Sequence, residues 1–324
     1  MNSSLWPVSG GTREIRALLR DWDAADDPRP LVIETSGSTG RPKRVLLSRD
    51  AMRASADATH ERLGGPGRWE LNLPPTYVAG VQVLFRTLRA GDASRRYLSL
   101  VPTQLVRVLR SEERVEEVRA FDAVLVGGGP LRREVRSEAE RRGIRVVQTY
   151  GMSETCGGCV YDGVPLRGVE VRIDTDDQVL LRGPMLFDGY EGEPERTAAA
   201  FRDGWLVTND LGHWGEDGRL CVDGRADDVI ISGGVKVPAR SVASMIHAGV
   251  ASPGVEVVGV PDAEWGERVV AVVAAMDPIS LDHVRDLVEP REWAPRQLVV
   301  VREIPLLPNG KPDREAIRRL AADA

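Results

Sequence analysis

The sequence predicts an α/β protein, a large N-terminal layered domain followed by a small C-terminal α+β domain. Three observations carry that prediction. Short apolar runs pass repeatedly into glycine- or proline-bearing turns and then into helix-forming stretches, as in residues 98–105 and 121–130. The run Leu31-Val32-Ile33 empties into a long stretch of small residues at the carboxyl end of a buried strand. The last hundred residues instead alternate short strands (255–260, 269–275, 298–301) with short helices (239–248, 281–288, 313–322). At 324 residues the chain is long enough for both domains to bury a core.

Residues 12–25 form the first predicted helix, because Ile15, Leu18, Leu19 and Trp22 recur at helical spacing. Asp26-Asp27-Pro28-Arg29-Pro30 ends it. The strand at 31–33 then opens into Thr35-Ser36-Gly37-Ser38-Thr39-Gly40-Arg41-Pro42-Lys43. Its backbone N–H groups, its hydroxyls and the Lys43 ammonium suit a polyphosphate. It is not the G-x-x-x-x-G-K-S/T loop, since Pro42 precedes Lys43. Residues 48–63 read as a helix capped by Ser48, and 81–88 as the start of another after a strand-to-loop passage at 71–80. Within that passage Tyr77 reads equally as a core aromatic or as the wall of a pocket. The buried strand 121–126 ends in Gly127-Gly128-Gly129, where backbone can approach a ligand at the mouth of an open sheet; a bare tight turn is the alternative.

Further on come Tyr150-Gly151-Met152-Ser153-Glu154-Thr155 and Trp205-Leu206-Val207-Thr208-Asn209-Asp210. The stretch from Gly224 to Val237 and a proline-bounded loop, Pro308-Asn309-Gly310-Lys311, complete the set. Cys156-Gly157-Gly158-Cys159 offers too few partners for a zinc site, because Cys221 is the only other thiol; small residues beside a pocket is the preferred reading. Of 43 basic residues only Lys43, Lys236 and Lys311 are lysines. A chain that otherwise uses arginine keeps lysine where a compact, rotatable ammonium is needed.

These motifs resemble, in order and over nearly the whole chain, those of the adenylate-forming superfamily of acyl- and aryl-CoA ligases, peptide-synthetase adenylation domains and luciferases. The resemblance implies ATP, Mg²⁺ and the co-substrate CoA, with a small carboxylic acid as the group activated. It implies that Thr35, Ser36, Gly37, Ser38, Thr39, Gly40 and Lys43 hold phosphates. Gly128, Gly129, Tyr150 and Gly151 would floor and stack the adenine, and Asp210 and Arg225 would take the ribose or phosphate. Glu154 would hold Mg²⁺, Thr155 a phosphate, and Lys311 would be the adenylation lysine. Tyr77, Gly127 and Ser153 are the expected acyl pocket. Asp227 stands at the hinge position, Gly233 and Gly234 along a pantetheine tunnel, and Lys236 beside CoA or on the surface. The implied division is 1–224 for ATP and acid and 225–324 for a mobile C-terminal domain carrying Lys311. Asn209 departs from the usual glycine, mildly, since Asn tolerates left-handed backbone.

Within the superfamily, residues 75–84, 99–105 and 149–163 are most similar to the 2-succinylbenzoate–CoA ligases of menaquinone biosynthesis in their short, actinobacterial-type form. Only 34 residues precede the phosphate loop, so a shortened N-terminal subdomain is expected, and with it room for a second subunit, in a homodimer, to cover the exposed face. A net charge of −6 with mixed signs argues against nucleic acid. The longest apolar run, near 269–276, is too short to span a bilayer, and nothing at the N-terminus resembles an export signal. A cytoplasmic enzyme is the expectation.

Overall fold

The computed structural model describes residues 6–35, 43–250, 252–307 and 312–324. The chain divides into two compact units. One comprises Met1–Arg172, Leu180–Thr208 and Gly215–Leu220; the other comprises Ile173–Val179, Asn209–Trp214 and Cys221–Ala324.

In the first unit, Gly67–Glu70, Arg95–Leu100, Ala123–Val126 and Val146–Met152 lie side by side in parallel. Gly157–Tyr161 and Val164–Pro165 extend the sheet antiparallel. Parallel neighbours need crossovers. These are Val78–Arg89, then Pro102–Val108 with Glu112–Arg119, then Arg133–Arg141. Alternation along the strands sends Leu98, Leu100, Val124 and Val126 into a core with Leu105, Val108, Val115 and Val118. The intervening residues, Tyr97, Ala123 and Leu125, join Trp69, Val83, Val147 and Tyr161 on the opposite face. Both faces are covered, so the strands read as continuous apolar runs rather than as an alternating pattern.

A second sheet runs in the order Trp6–Pro7, Leu31–Thr35, Lys43–Leu47, Gly189–Tyr190. Its central hairpin pairs Thr35 with Lys43 at the open end. The first helix spans Thr12–Ala24 and buries Ile15, Leu19 and Trp22; the Trp22 indole donates to the Arg29 carbonyl at 2.9 Å. Arg49–Arg62 begins where expected, with Ser48 Oγ accepting from the Ala51 amide at 3.4 Å. The next helix starts at Val78, three residues earlier than the sequence suggests. Gly80 explains this: a Cβ there would lie 2.1 Å from the Pro74 carbonyl oxygen, so only glycine lets the first turn lie on the 74–75 backbone.

In the second unit, Val235–Pro238, Val229–Ser232, Gly266–Ala274 and Gly254–Asp262 form a sheet in that order, and Gln297–Val301 joins Gly266–Ala274 in parallel. Ala239–Gly249 and Leu281–Asp286 cover one face through Val242, Ile246 and Val284. Arg314–Ala322 covers the other through Ile317 and Ala321. Among the described residues no helix is long and apolar enough to cross a membrane.

Candidate active site

The phosphate-loop hairpin is the foundation. Thr35 and Lys43 face each other at its mouth; Ser36, Gly37, Ser38, Thr39 and Gly40 lie outside the described residues, as does Lys311. Gly189–Tyr190 pairs with Lys43–Leu47 and sets Tyr190 opposite Val45. From there the Tyr190 ring lies 5.5 Å from Lys43 Nζ and 5.0 Å from the Arg196 guanidinium. Its hydroxyl donates to Glu154 Oε1 at 2.8 Å. Phe187 meets the ring edge-on at 4.9 Å, and its own amide donates to the Glu154 carbonyl at 2.9 Å. Burial, and then the adjacent Glu154 carboxylate, push the Tyr190 phenol well above its ordinary range, so it stays a proton donor.

Two predicted residues, Lys43 and Glu154, are thus brought together by a third that the sequence reading passed over. Among the described residues no group of three or more metal-ligating side chains occurs. The single Glu154 carboxylate is compatible with Mg²⁺, which takes one or two carboxylates and leaves its other positions to water and substrate phosphates. Glu154 keeps its second oxygen outside the Tyr190 bond.

Val146–Met152 and Gly157–Tyr161 run antiparallel around Glu154. A Cβ on Gly127 would meet Thr149 Oγ1 at 2.2 Å, and one on Gly151 would meet the Gly157 carbonyl at 2.1 Å. Both glycines therefore permit close backbone approach within the protein. Gly128 has a left-handed φ of 76° at the turn beside Gly129. Tyr150 and Ser153 are half-buried. Thr155 corrects the expectation that its hydroxyl meets a phosphate. It is fully buried; Oγ1 accepts from the Met152 amide at 2.9 Å and lies 2.7 Å from the Gly157 carbonyl. The hydroxyl holds the turn that presents Glu154. Tyr77 is 38% exposed at the N-cap of Val78–Arg89, so it is not a core aromatic.

That helix carries what the sequence reading missed. Gln82 is buried, donates to the Cys156 carbonyl at 2.9 Å and leaves Oε1 without a partner. One turn on, Arg86 is 4% exposed; among the described residues its Nε and Nη2 have no hydrogen-bond partner, and its guanidinium sits 5.1 Å from the Trp69 ring centroid. An arginine inside a pattern of Val81, Val83, Leu84 and Phe85 was the available signal. Neighbouring His60 accepts from the Trp69 indole at 3.4 Å. Burial first, and Arg86 second, lower its pKa to about 4. Cys156 and Cys159 are both buried, and burial raises their thiols, Cys159 to about 12. They are inert packing groups, with Cys159 bordering a small cavity beside Ala54, Leu166 and Met185.

The remaining predicted residues belong to the second unit and are described within it. Asp210 is half-buried in Trp205–Trp214. Arg225, expected on ribose or phosphate, pairs with Asp227 through two bonds of 2.8 and 3.0 Å. This pairing holds the Asp227 carboxyl below its usual range although burial opposes it. The adjacent Asp228 is buried and ion-paired with Arg314, the first residue of the final helix. Gly233 and Gly234, with φ of 58° and 80°, form the two-residue turn between Val229–Ser232 and Val235–Pro238. Lys236 is exposed opposite Ile231. His213 is an exposed partner of Asp223 at 2.8 Å.

The AMP-binding enzyme family matches residues 92–191, which contain Gly127–Gly129 and the Tyr150–Thr155 motif. A probable 2-succinylbenzoate–CoA ligase from Mycobacterium tuberculosis is 40% identical over 94% of this chain and 88% of its own length. The chain belongs to the AMP-binding, adenylate-forming enzymes. This AMP-binding enzyme is also similar in structure to other members. The o-succinylbenzoate CoA synthetase MenE of Bacillus subtilis, in complex with its acyl-adenylate intermediate, superposes with a TM-score of 0.78 at 26% identity, over 89% of this chain and 68% of that one. ATP-bound MatB from Rhodopseudomonas palustris superposes at 0.81 and 26% identity, over 91% and 68%.

Proposed function

We propose that the chain is an AMP-forming 2-succinylbenzoate–CoA ligase. The observation that carries this reading is the 40% identity, over nearly the whole chain, to a probable ligase of that name. The reaction has two halves. A carboxylate oxygen attacks the α-phosphorus of ATP, forming the acyl-adenylate and releasing pyrophosphate; a CoA thiol then attacks the acyl carbon, loses its proton to solvent and expels AMP. A carboxylate is a weak nucleophile facing an anionic target, so the protein's task is charge neutralisation and positioning.

In this reading Lys43 and the loop at 35–43 take the pyrophosphate, and Glu154 would hold Mg²⁺, whose charge would offset that of the ATP phosphates. Tyr150 stacks on adenine and Asp210 takes the ribose hydroxyls. Lys311 meets the acyl and α-phosphate oxygens as charge develops, and Gly233 and Gly234 admit pantetheine. These roles rest on the motif match. The substrate carries a second carboxylate that is not activated, and Arg86 supports its assignment. The buried Nε and Nη2 of Arg86 have no hydrogen-bond partner among the described residues, which is costly, and an incoming carboxylate would relieve that cost with bidentate geometry.

Pyrophosphate release measured across a panel of acids tests the reading. Release with 2-succinylbenzoate, and release at least about a hundredfold weaker with 4-oxo-4-phenylbutyrate, which lacks the ring carboxylate, is expected. Equal release with both, or release only with other acids, overturns the substrate assignment.

A further inference from the structure

We infer that Tyr190 is a positioning residue for the metal carboxylate and the phosphate-loop lysine together. This rests on the reading of Glu154 as the Mg²⁺ ligand. The Tyr190 hydroxyl donates to one oxygen of Glu154, 2.8 Å away, and the face of the same ring carries Lys43 at 5.5 Å. The ring itself is fixed from three sides. Its backbone pairs with Val45, its edge meets Phe187, and its amide donates to Thr197 Oγ1 at 2.9 Å.

Two consequences follow for the carboxylate. A single Glu on a half-turn has free χ angles, and each rotamer points its charge elsewhere. The phenol bond selects one rotamer and leaves the second oxygen for the cation, so Glu154 acts as a monodentate ligand of fixed direction. Tyr190 also spaces Lys43 from Glu154. With the ring between them, the ammonium and carboxylate do not collapse into an ion pair, and both charges stay available to phosphate and metal. Among the described residues Glu154 has no ion-pair partner, as this account requires.

The test uses Tyr190→Phe, which keeps the ring, its edge contact with Phe187 and the face under Lys43, and removes only the hydroxyl. Mn²⁺ serves as the probe metal, titrated by electron paramagnetic resonance into the full chain with a non-hydrolysable ATP analogue. The expected result is about a tenfold weaker Mn²⁺ affinity in Tyr190→Phe, with Glu154→Gln weakened further. In the pyrophosphate-release assay the Mg²⁺ concentration for half-maximal rate rises by about the same factor, while kcat at saturating Mg²⁺ changes little. Wild-type Mn²⁺ affinity in Tyr190→Phe, or a fall in kcat with unchanged Mg²⁺ dependence, overturns the inference. Should the chain turn over no acid, the proposed function fails, and the Mn²⁺ titration still decides the role of Tyr190.

Discussion

Arg86 and His60 show how a single buried side chain couples stability to function. Arg86→Met removes a buried guanidinium whose Nε and Nη2 have no hydrogen-bond partner among the described residues, so stability should hold or improve. The same change removes the proposed partner of the spectator carboxylate, so KM for 2-succinylbenzoate should rise about a hundredfold. A stability that holds or improves while acid binding collapses separates a ligand-directed arginine from a structural one. Lost stability with an unchanged KM contradicts the assignment. His60 gives a pH prediction. Its folded pKa of about 4 lies below the ordinary 6.5. Between those values the unfolded chain binds a proton that the folded chain does not. Stability is therefore full above about pH 7 and falls as pH drops toward 4, by at most about 3 kcal/mol from this group. Urea midpoints across that range should slope for the wild type and flatten in His60→Gln. An equal slope in both would assign the acid sensitivity to other groups.

At the scale of elements, local chemistry placed most boundaries. Ser48 capped its helix as expected, and the paired glycines at 233 and 234 took the backbone of a two-residue hairpin. The helix at Val78–Arg89 began early because its start depends on contact with residues distant from its own periodicity. Gly80→Ala would force a Cβ onto the Pro74 carbonyl. The expected cost is about 2–3 kcal/mol, read as a lower urea midpoint with unchanged slope, and Gln82 would shift away from Cys156. A midpoint equal to wild type would mean that the 74–80 turn yields without strain. The candidate site divided in the same way. Lys43 and Glu154 stood out in contiguous motifs because their types and spacing suit phosphate and metal chemistry, and both meet Tyr190 in the structure. Tyr190 and Arg86 did not, because what each does depends on contacts outside its own motif: Tyr190 meets Glu154, 36 residues earlier, and Arg86 is buried against Trp69. Thr155 was read as a ligand because sequence does not reveal that a hydroxyl is spent on Met152 and Gly157.

For the molecule as a whole, the α/β character and the small C-terminal unit followed from the order of strand and helix patterns. Which strands pair, and that a second sheet carries the phosphate-loop hairpin, required long-range contacts. The second unit has its own electrostatic anchor in the buried Asp228–Arg314 pair, which ties the final helix to the turn after Arg225. Asp228→Ala removes the ion-pair partner of the half-buried Arg314, which keeps Asp227 nearby, and should cost about 1–3 kcal/mol, seen as a lowered unfolding transition of that unit. A transition at the wild-type position would show that the pair contributes nothing net.

The most direct measurement follows 2-succinylbenzoate, MgATP and CoA with the wild type and with Lys311→Ala, quantifying thioester, AMP and pyrophosphate. The account predicts equal amounts of all three products from the wild type. In Lys311→Ala, pyrophosphate release should collapse while synthetic acyl-adenylate is still converted to thioester. Formation of ADP and phosphate, or undiminished pyrophosphate release by Lys311→Ala, would contradict it.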